Sequence, residues 1–118
     1  MTDLNPEITA QIRTLNDKFR TTFDPQLGKI QLTIGLHKLT SEQLQQLLQA
    51  VSNFNNFSEE IDPYQEHDMG RIELFQESFY FKIDYLDRER WQDSFGSEDP
   101  ANEQKTLRIM TIMLTDEY

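Results

Sequence analysis

The sequence predicts an α+β fold, a small antiparallel or mixed sheet of about four strands with two helices packed on one face. Three observations carry that prediction. Two segments space their apolar residues at three and four, as amphipathic helices do, and four others alternate or saturate them as strands do. Their order is helix, strand, helix, then three strands. A chain of 118 residues, read as one domain over 1–118, is too short for two independent cores.

The first helix starts after Asn5, a good N-cap, with Pro6 where its missing N–H costs nothing. Ile8, Ile12, Leu15 and Phe19 form its stripe, and it is expected to end near Arg20. Asp24, Pro25 and Gly28 supply turn chemistry, and Ile30, Leu32 and Ile34 then alternate with Gln31 and Thr33 as an inward-facing strand row. The second helix is specified twice at its start, by a Thr40/Gln43 capping box and a Leu39/Leu44 staple. Leu44, Leu47, Leu48, Val51 and Phe54 continue it, until Asn55 and Asn56 end it. Gly70–Phe75 and Ser78–Leu86, separated by Gln76 and Glu77, read as a hairpin with Phe79, Phe81, Ile83 and Tyr85 on the core face. Asp99 and Pro100 suggest a short helix in the next connection. Leu107–Thr115 is apolar on both faces, as a central strand is; its periodicity also fits a buried helix.

Charge divides unevenly along the chain. Residues 1–54 carry five acids and five bases, whereas 55–118 carry sixteen acids and six bases, so the whole net charge of −10 lies in the second half. Such a balance counts against direct DNA or RNA binding, which is driven by basic groups on phosphates, and favours a basic protein partner. Most of the acids lie in two polar connections, running roughly from Asn55 to Met69 and from Asp87 to Lys105. The candidate partner-binding residues are Glu59, Glu60, Asp62 and Glu66 in the first, with Asp87, Glu89, Asp93, Glu98 and Asp99 in the second. Trp91 and Phe95 sit among the latter as apolar anchors ringed by charge, or as side chains that fold back over the sheet.

No cysteine is present, which removes disulfides, thiolate nucleophiles and cysteine-bound zinc. No apolar run approaches the roughly 20 residues that cross a bilayer, and Met1–Asn5 lacks the basic and apolar regions of a signal peptide, so a cytoplasmic protein that binds no membrane is expected. Phosphate loops, nucleophile elbows and dinucleotide fingerprints are absent. One segment concentrates chemistry: Asp62, Glu66, His67 and Asp68 precede a strand, and Asp84 and Asp87 at a strand end would join them if the loop folds back. Oxygen donors with one imidazole suit Mn²⁺, Mg²⁺ or Ca²⁺, or an acid–base site; the plain alternative is solvated turn chemistry, with no cofactor. Lys82 and Asp84 share a strand face and are read as a structural ion pair, and His37 as a surface residue.

An ordered set of short motifs resembles a known family. Asp62-Pro63-Tyr64, Glu66-His67-Asp68 with Gly70, Lys82-Ile83-Asp84-Tyr85 with Asp87, Gly96-Ser97 with Asp99-Pro100, and Thr111-Ile112-Met113-Leu114 with Glu117-Tyr118 follow the pattern of domain-of-unknown-function family 3768; Asn16 and Asp17 also match. The resemblance covers about Ile12 to Tyr118. Gln65 stands where the pattern often has Gly and Phe81 where it often has Trp, and the stretch Glu89–Ser94 is longer. The resemblance implies a small bacterial protein of plasmids and other mobile elements, and no activity. With the charge it leads to an acidic binding module, such as a counter-defence (anti-CRISPR or anti-restriction) inhibitor that covers a basic nucleic-acid-binding surface. A small metal-dependent or acid–base enzyme and an antitoxin-like regulator stand as alternatives.

Overall fold

The computed structural model describes residues 5–118; residues 1–4, on which the reading for a leader largely rests, lie outside it. Helix α1 spans Pro6–Thr22, strand β1 Gly28–Leu32, helix α2 Ser41–Ser52, β2 Met69–Leu74, β3 Glu77–Asp87 and β4 Thr106–Leu114. The four strands form one mixed sheet in the order β1-β4-β3-β2, in which β1 runs parallel to β4 and the other pairs are antiparallel. The fold is α+β, as the element order predicts.

Both helices pack on the same face. Strand register places Ile72, Phe79, Phe81, Ile83, Met110 and Ile112 on one side of the sheet, and these form a single buried cluster with Phe19 of α1 and Leu47 and Val51 of α2. A fully buried side chain of this kind contributes about 1.5–3 kcal/mol. The Thr40 capping box is present with both of its hydrogen bonds, and the Asn5 side chain caps α1 by accepting from the backbone of Glu7 and Ile8. β4, bonded on both edges, is buried on both faces, which is why its apolar residues do not alternate. No helix among the described residues is long and apolar enough to cross a membrane.

Several expectations are corrected. α1 continues to Thr22, where Phe23 ends it in the left-handed region. Ile34 is not an inward strand residue; it is 78% exposed in a short 3₁₀ helix, Ile34–Lys38, and Leu32 is 40% exposed. The cause is long-range: the Glu117 carboxylate accepts from the Thr33 hydroxyl at 2.6 Å and from the Gly35 and Leu114 N–H groups at 2.9 Å, drawing the chain out of the sheet. A side chain on Gly35 would lie 2.6 Å from that carboxylate. The hairpin turn is Phe75–Gln76, one residue earlier than expected, with φ of 57° and 60° as a two-residue primed turn requires. Leu47, not Leu48, is the fully buried leucine of α2. Asp99 and Pro100 open no helix; a 3₁₀ turn at Trp91–Asp93 stands in that connection instead.

Candidate functional site

Where β3 finishes and β4 begins, the core-facing row turns from apolar to polar. Ile83 opposite Met110 is followed by Tyr85 opposite Arg108, then Asp87 opposite Thr106. Arg108 is 0% exposed and makes no ion pair among the described residues. Its Nε donates to Asn16 Oδ1 at 2.7 Å and its Nη2 to the Pro100 carbonyl at 2.7 Å, while Nη1 has no partner. Asn16, also 0% exposed, donates through Nδ2 to the Glu66 carbonyl at 3.0 Å and to the Tyr85 hydroxyl at 2.8 Å. The Tyr85 hydroxyl in turn donates to Glu66 Oε1 at 2.7 Å. Burial, then the bond to Glu66, holds the Tyr85 phenol well above its usual range, and burial lowers the Arg108 guanidinium.

This chain of bonds fastens both acidic connections to one end of the sheet, the first through Glu66 and the second through Pro100. Arg88 adds a clamp on the second: its guanidinium donates to the carbonyls of Gln26, Glu103 and Thr106. Asp87, Glu89, Glu98 and Asp99 then line one side of an open cleft of about 750 Å³, with Arg88 and Lys105 in its wall. Glu59, Glu60, Glu89, Asp93 and Glu98 are exposed. Phe95, 40% exposed, lies against the Arg90 guanidinium at 3.9 Å, and Trp91 is half-buried with Lys29 Nζ 5.1 Å from its ring.

Two members of the expected surface turn inward. Asp62 is 3% exposed, its carboxylate accepting from the backbone N–H of Glu66 at 3.0 Å and of His67 at 3.1 Å. Glu66 is held by Tyr85. Burial raises both Asp62 and the neighbouring Asp68; Asp68, with the Glu66 and Asp62 charges beside it, is pushed up to about 6.

His67 belongs to a different constellation from the one its sequence neighbours suggest. Its Nδ1 meets Asp17 Oδ1 on α1 at 2.8 Å, and its ring stacks on Phe57 at 3.9 Å with an interplanar angle of 2°. Arg20 donates to the same Asp17 oxygen at 3.1 Å. Arg13, one turn earlier, donates through Nε to the Gln65 carbonyl at 2.7 Å. Gln65 and His67 have φ of 59° and 58°, a conformation that costs a non-glycine residue about 1–2 kcal/mol. Arg13, Phe57, Ser58, Glu59, Asp62, Gln65 and His67 line a cleft of about 400 Å³.

The proposed six-residue ligand set does not assemble. Asp84 lies on the opposite sheet face from Tyr85, 3.3 Å from Lys82, and Asp87 Oδ1 accepts from the backbone of Glu89 and Arg90. Among the described residues no group of three or more His, Asp or Glu is arranged to hold a metal ion. Local patterns missed Asn16, Arg20 and Arg108 as site residues, yet a signal existed: each is a polar residue within an otherwise apolar buried stripe or strand.

A family model described as protein of unknown function, DUF3768, matches residues 32–117. No curated protein and no solved structure matches the chain. The matched span begins after α1, the helix that supplies Asn16, Asp17 and Arg20.

Proposed function

We propose that this chain, which belongs to the DUF3768 family, is a cytoplasmic acidic protein-binding module whose partner presents a basic surface. The observation that supports it most is the buried Arg108–Asn16–Tyr85–Glu66 chain, which draws the two acidic connections to one end of the sheet. Acids far apart in sequence thereby act together, and a surface of one sign accelerates encounter with an oppositely charged partner. Trp91 and Phe95 offer apolar area within it, and such anchors govern dissociation. A protein of this kind suits a mobile element, where covering the nucleic-acid-binding surface of a restriction or CRISPR effector would neutralise it.

The test is partner capture from the source host, followed by binding kinetics. The on-rate should fall steeply with salt, because the Debye length shrinks from about 10 Å at 0.1 M to about 3 Å at 1 M. Glu98→Lys with Asp99→Lys should slow association and leave thermal stability nearly unchanged. A captured partner whose binding ignores both salt and the reversals overturns the reading.

A further inference from the structure

The cleft beside α1 shares Glu59 and Asp62 with the acidic surface but adds an imidazole and a guanidinium, for which docking of a basic partner has no need. A carboxylate only accepts, so the Asp17–His67 contact at 2.8 Å places a proton on Nδ1, and in the neutral imidazole Nε2 then carries the lone pair. Nε2 makes no hydrogen bond to the described residues, and the ring lines the cleft with its side chain 28% exposed. Phe57 stacks on one face of the ring, and Asp62 accepts from the His67 backbone N–H. Arg13 enters the same cleft with Nε tied to Gln65, while its two terminal nitrogens make no bond to described residues. A base oriented by a carboxylate, lining the same cleft of about 400 Å³ as a cation, suits proton-transfer catalysis on a small molecule.

We infer that this cleft hydrolyses a small ester, with His67 as general base, Asp17 as its positioning residue and Arg13 as the counter-charge to the oxyanion. Nε2 takes a proton from water as the water oxygen bonds to the acyl carbon. The carbonyl π pair moves onto oxygen, facing Arg13. The oxyanion then collapses, the bond to the alkoxy oxygen breaks, and the proton on Nε2 passes to the departing alcohol, leaving acid and alcohol. Ser58 lines the cleft too, but its hydroxyl makes no hydrogen bond to His67, and the proposed nucleophile is water.

Two measurements on the full chain test this. Long-range ¹⁵N–¹H correlation spectra in mildly basic buffer should show His67 protonated at Nδ1, and Asp17→Leu, which leaves Nδ1 without an acceptor, should remove that preference. Hydrolysis of 4-nitrophenyl acetate, small enough for the cleft, should fall about 100-fold or more in His67→Gln. Asp17→Asn should lower kcat more than it changes KM, and Asp17→Glu should restore part of the loss. His37→Gln, on the exposed 3₁₀ helix, should leave the rate unchanged. A proton on Nε2 in the unmodified protein overturns the inference, and so does hydrolysis no faster than that of His67→Gln. A burst of 4-nitrophenolate, which marks an acyl-enzyme, also overturns it.

Discussion

Replacing Asn16 with leucine tests whether the buried polar chain is what holds the site together. Leucine has the same branched four-atom side-chain skeleton as asparagine, so no cavity opens, but it deletes every polar atom at the junction, and its greater bulk at a fully buried position adds to the loss. Three bonds disappear: Arg108 Nε to Oδ1 at 2.7 Å, and Nδ2 to the Glu66 carbonyl at 3.0 Å and to the Tyr85 hydroxyl at 2.8 Å. The Arg108 loss is the largest, because a guanidinium that is 0% exposed already has Nη1 without a partner and would keep only the Pro100 carbonyl. Orphaning a buried charged donor costs about 1.5–3 kcal/mol and a neutral carbonyl about 1–2, while Tyr85 retains its bond to Glu66. The sum, about 2.5–5 kcal/mol, is a large part of the roughly 5–15 kcal/mol that stabilises a domain of this size. Urea unfolding with an unchanged m-value measures it, and hydrogen exchange should quicken in both acidic connections while the α2 amides stay protected. A loss below about 1 kcal/mol, or faster exchange in only one connection, would refute the proposed junction.

Other outcomes follow from single features. Leu47→Ala should cost about 2–5 kcal/mol and Leu48→Ala clearly less, since Leu47 is 0% exposed and Leu48 only half-buried; equal losses in chemical denaturation would contradict the packing of α2. Asp68 is raised in the folded state, so the fold holds its proton where the unfolded chain does not; its contribution to stability is present at low pH and is lost as pH rises through about 6. Stability measured from about pH 7 down to about pH 5 should therefore rise more in the unmodified protein than in Asp68→Asn, and parallel curves would contradict it. Gly35→Ala should displace the Glu117 carboxylate, cost about 1–3 kcal/mol, and perturb the Thr33 and Leu114 amides together in NMR spectra.

The elements legible in the sequence are those written in local chemistry. Asn5 with Pro6, and Thr40 with Gln43, mark helix starts through bonds that close within three residues. The two-sided apolarity of Leu107–Leu114 marks the doubly bonded strand, although it could not choose between strand and buried helix. Ile34 shows where local reading stops: its alternation is perfect, yet Glu117, 84 residues beyond Thr33, ends the strand before it. The site divides in the same way. Carboxylate density pointed to the His67 segment, but the partner that orients His67 lies 50 residues away on α1, and Arg108 reaches Asn16 across 92 residues. Spacing within a segment carries no information about such pairs. Polar residues placed where an apolar stripe asks for apolar ones do carry some, and Asn16, Arg20 and Arg108 are of that kind.

Strand β4 lies between β1 and β3, yet it is the last of the four to leave the ribosome. Until it arrives, β1 has no neighbour at all, and the β2–β3 hairpin leaves the edge of β3 bare as well as that of β2, together with Phe79 and Phe81. Pairing Gly28 with Arg108 then requires closing about two-thirds of the chain into a loop, and contacts so distant in sequence put folding in the slow, millisecond-to-second range. Nascent chains of this protein must therefore spend their synthesis unfolded, with an open edge that pairs readily with other chains. Production of intact protein will be governed by chaperone supply and growth temperature, and will fail abruptly when β4 is shortened.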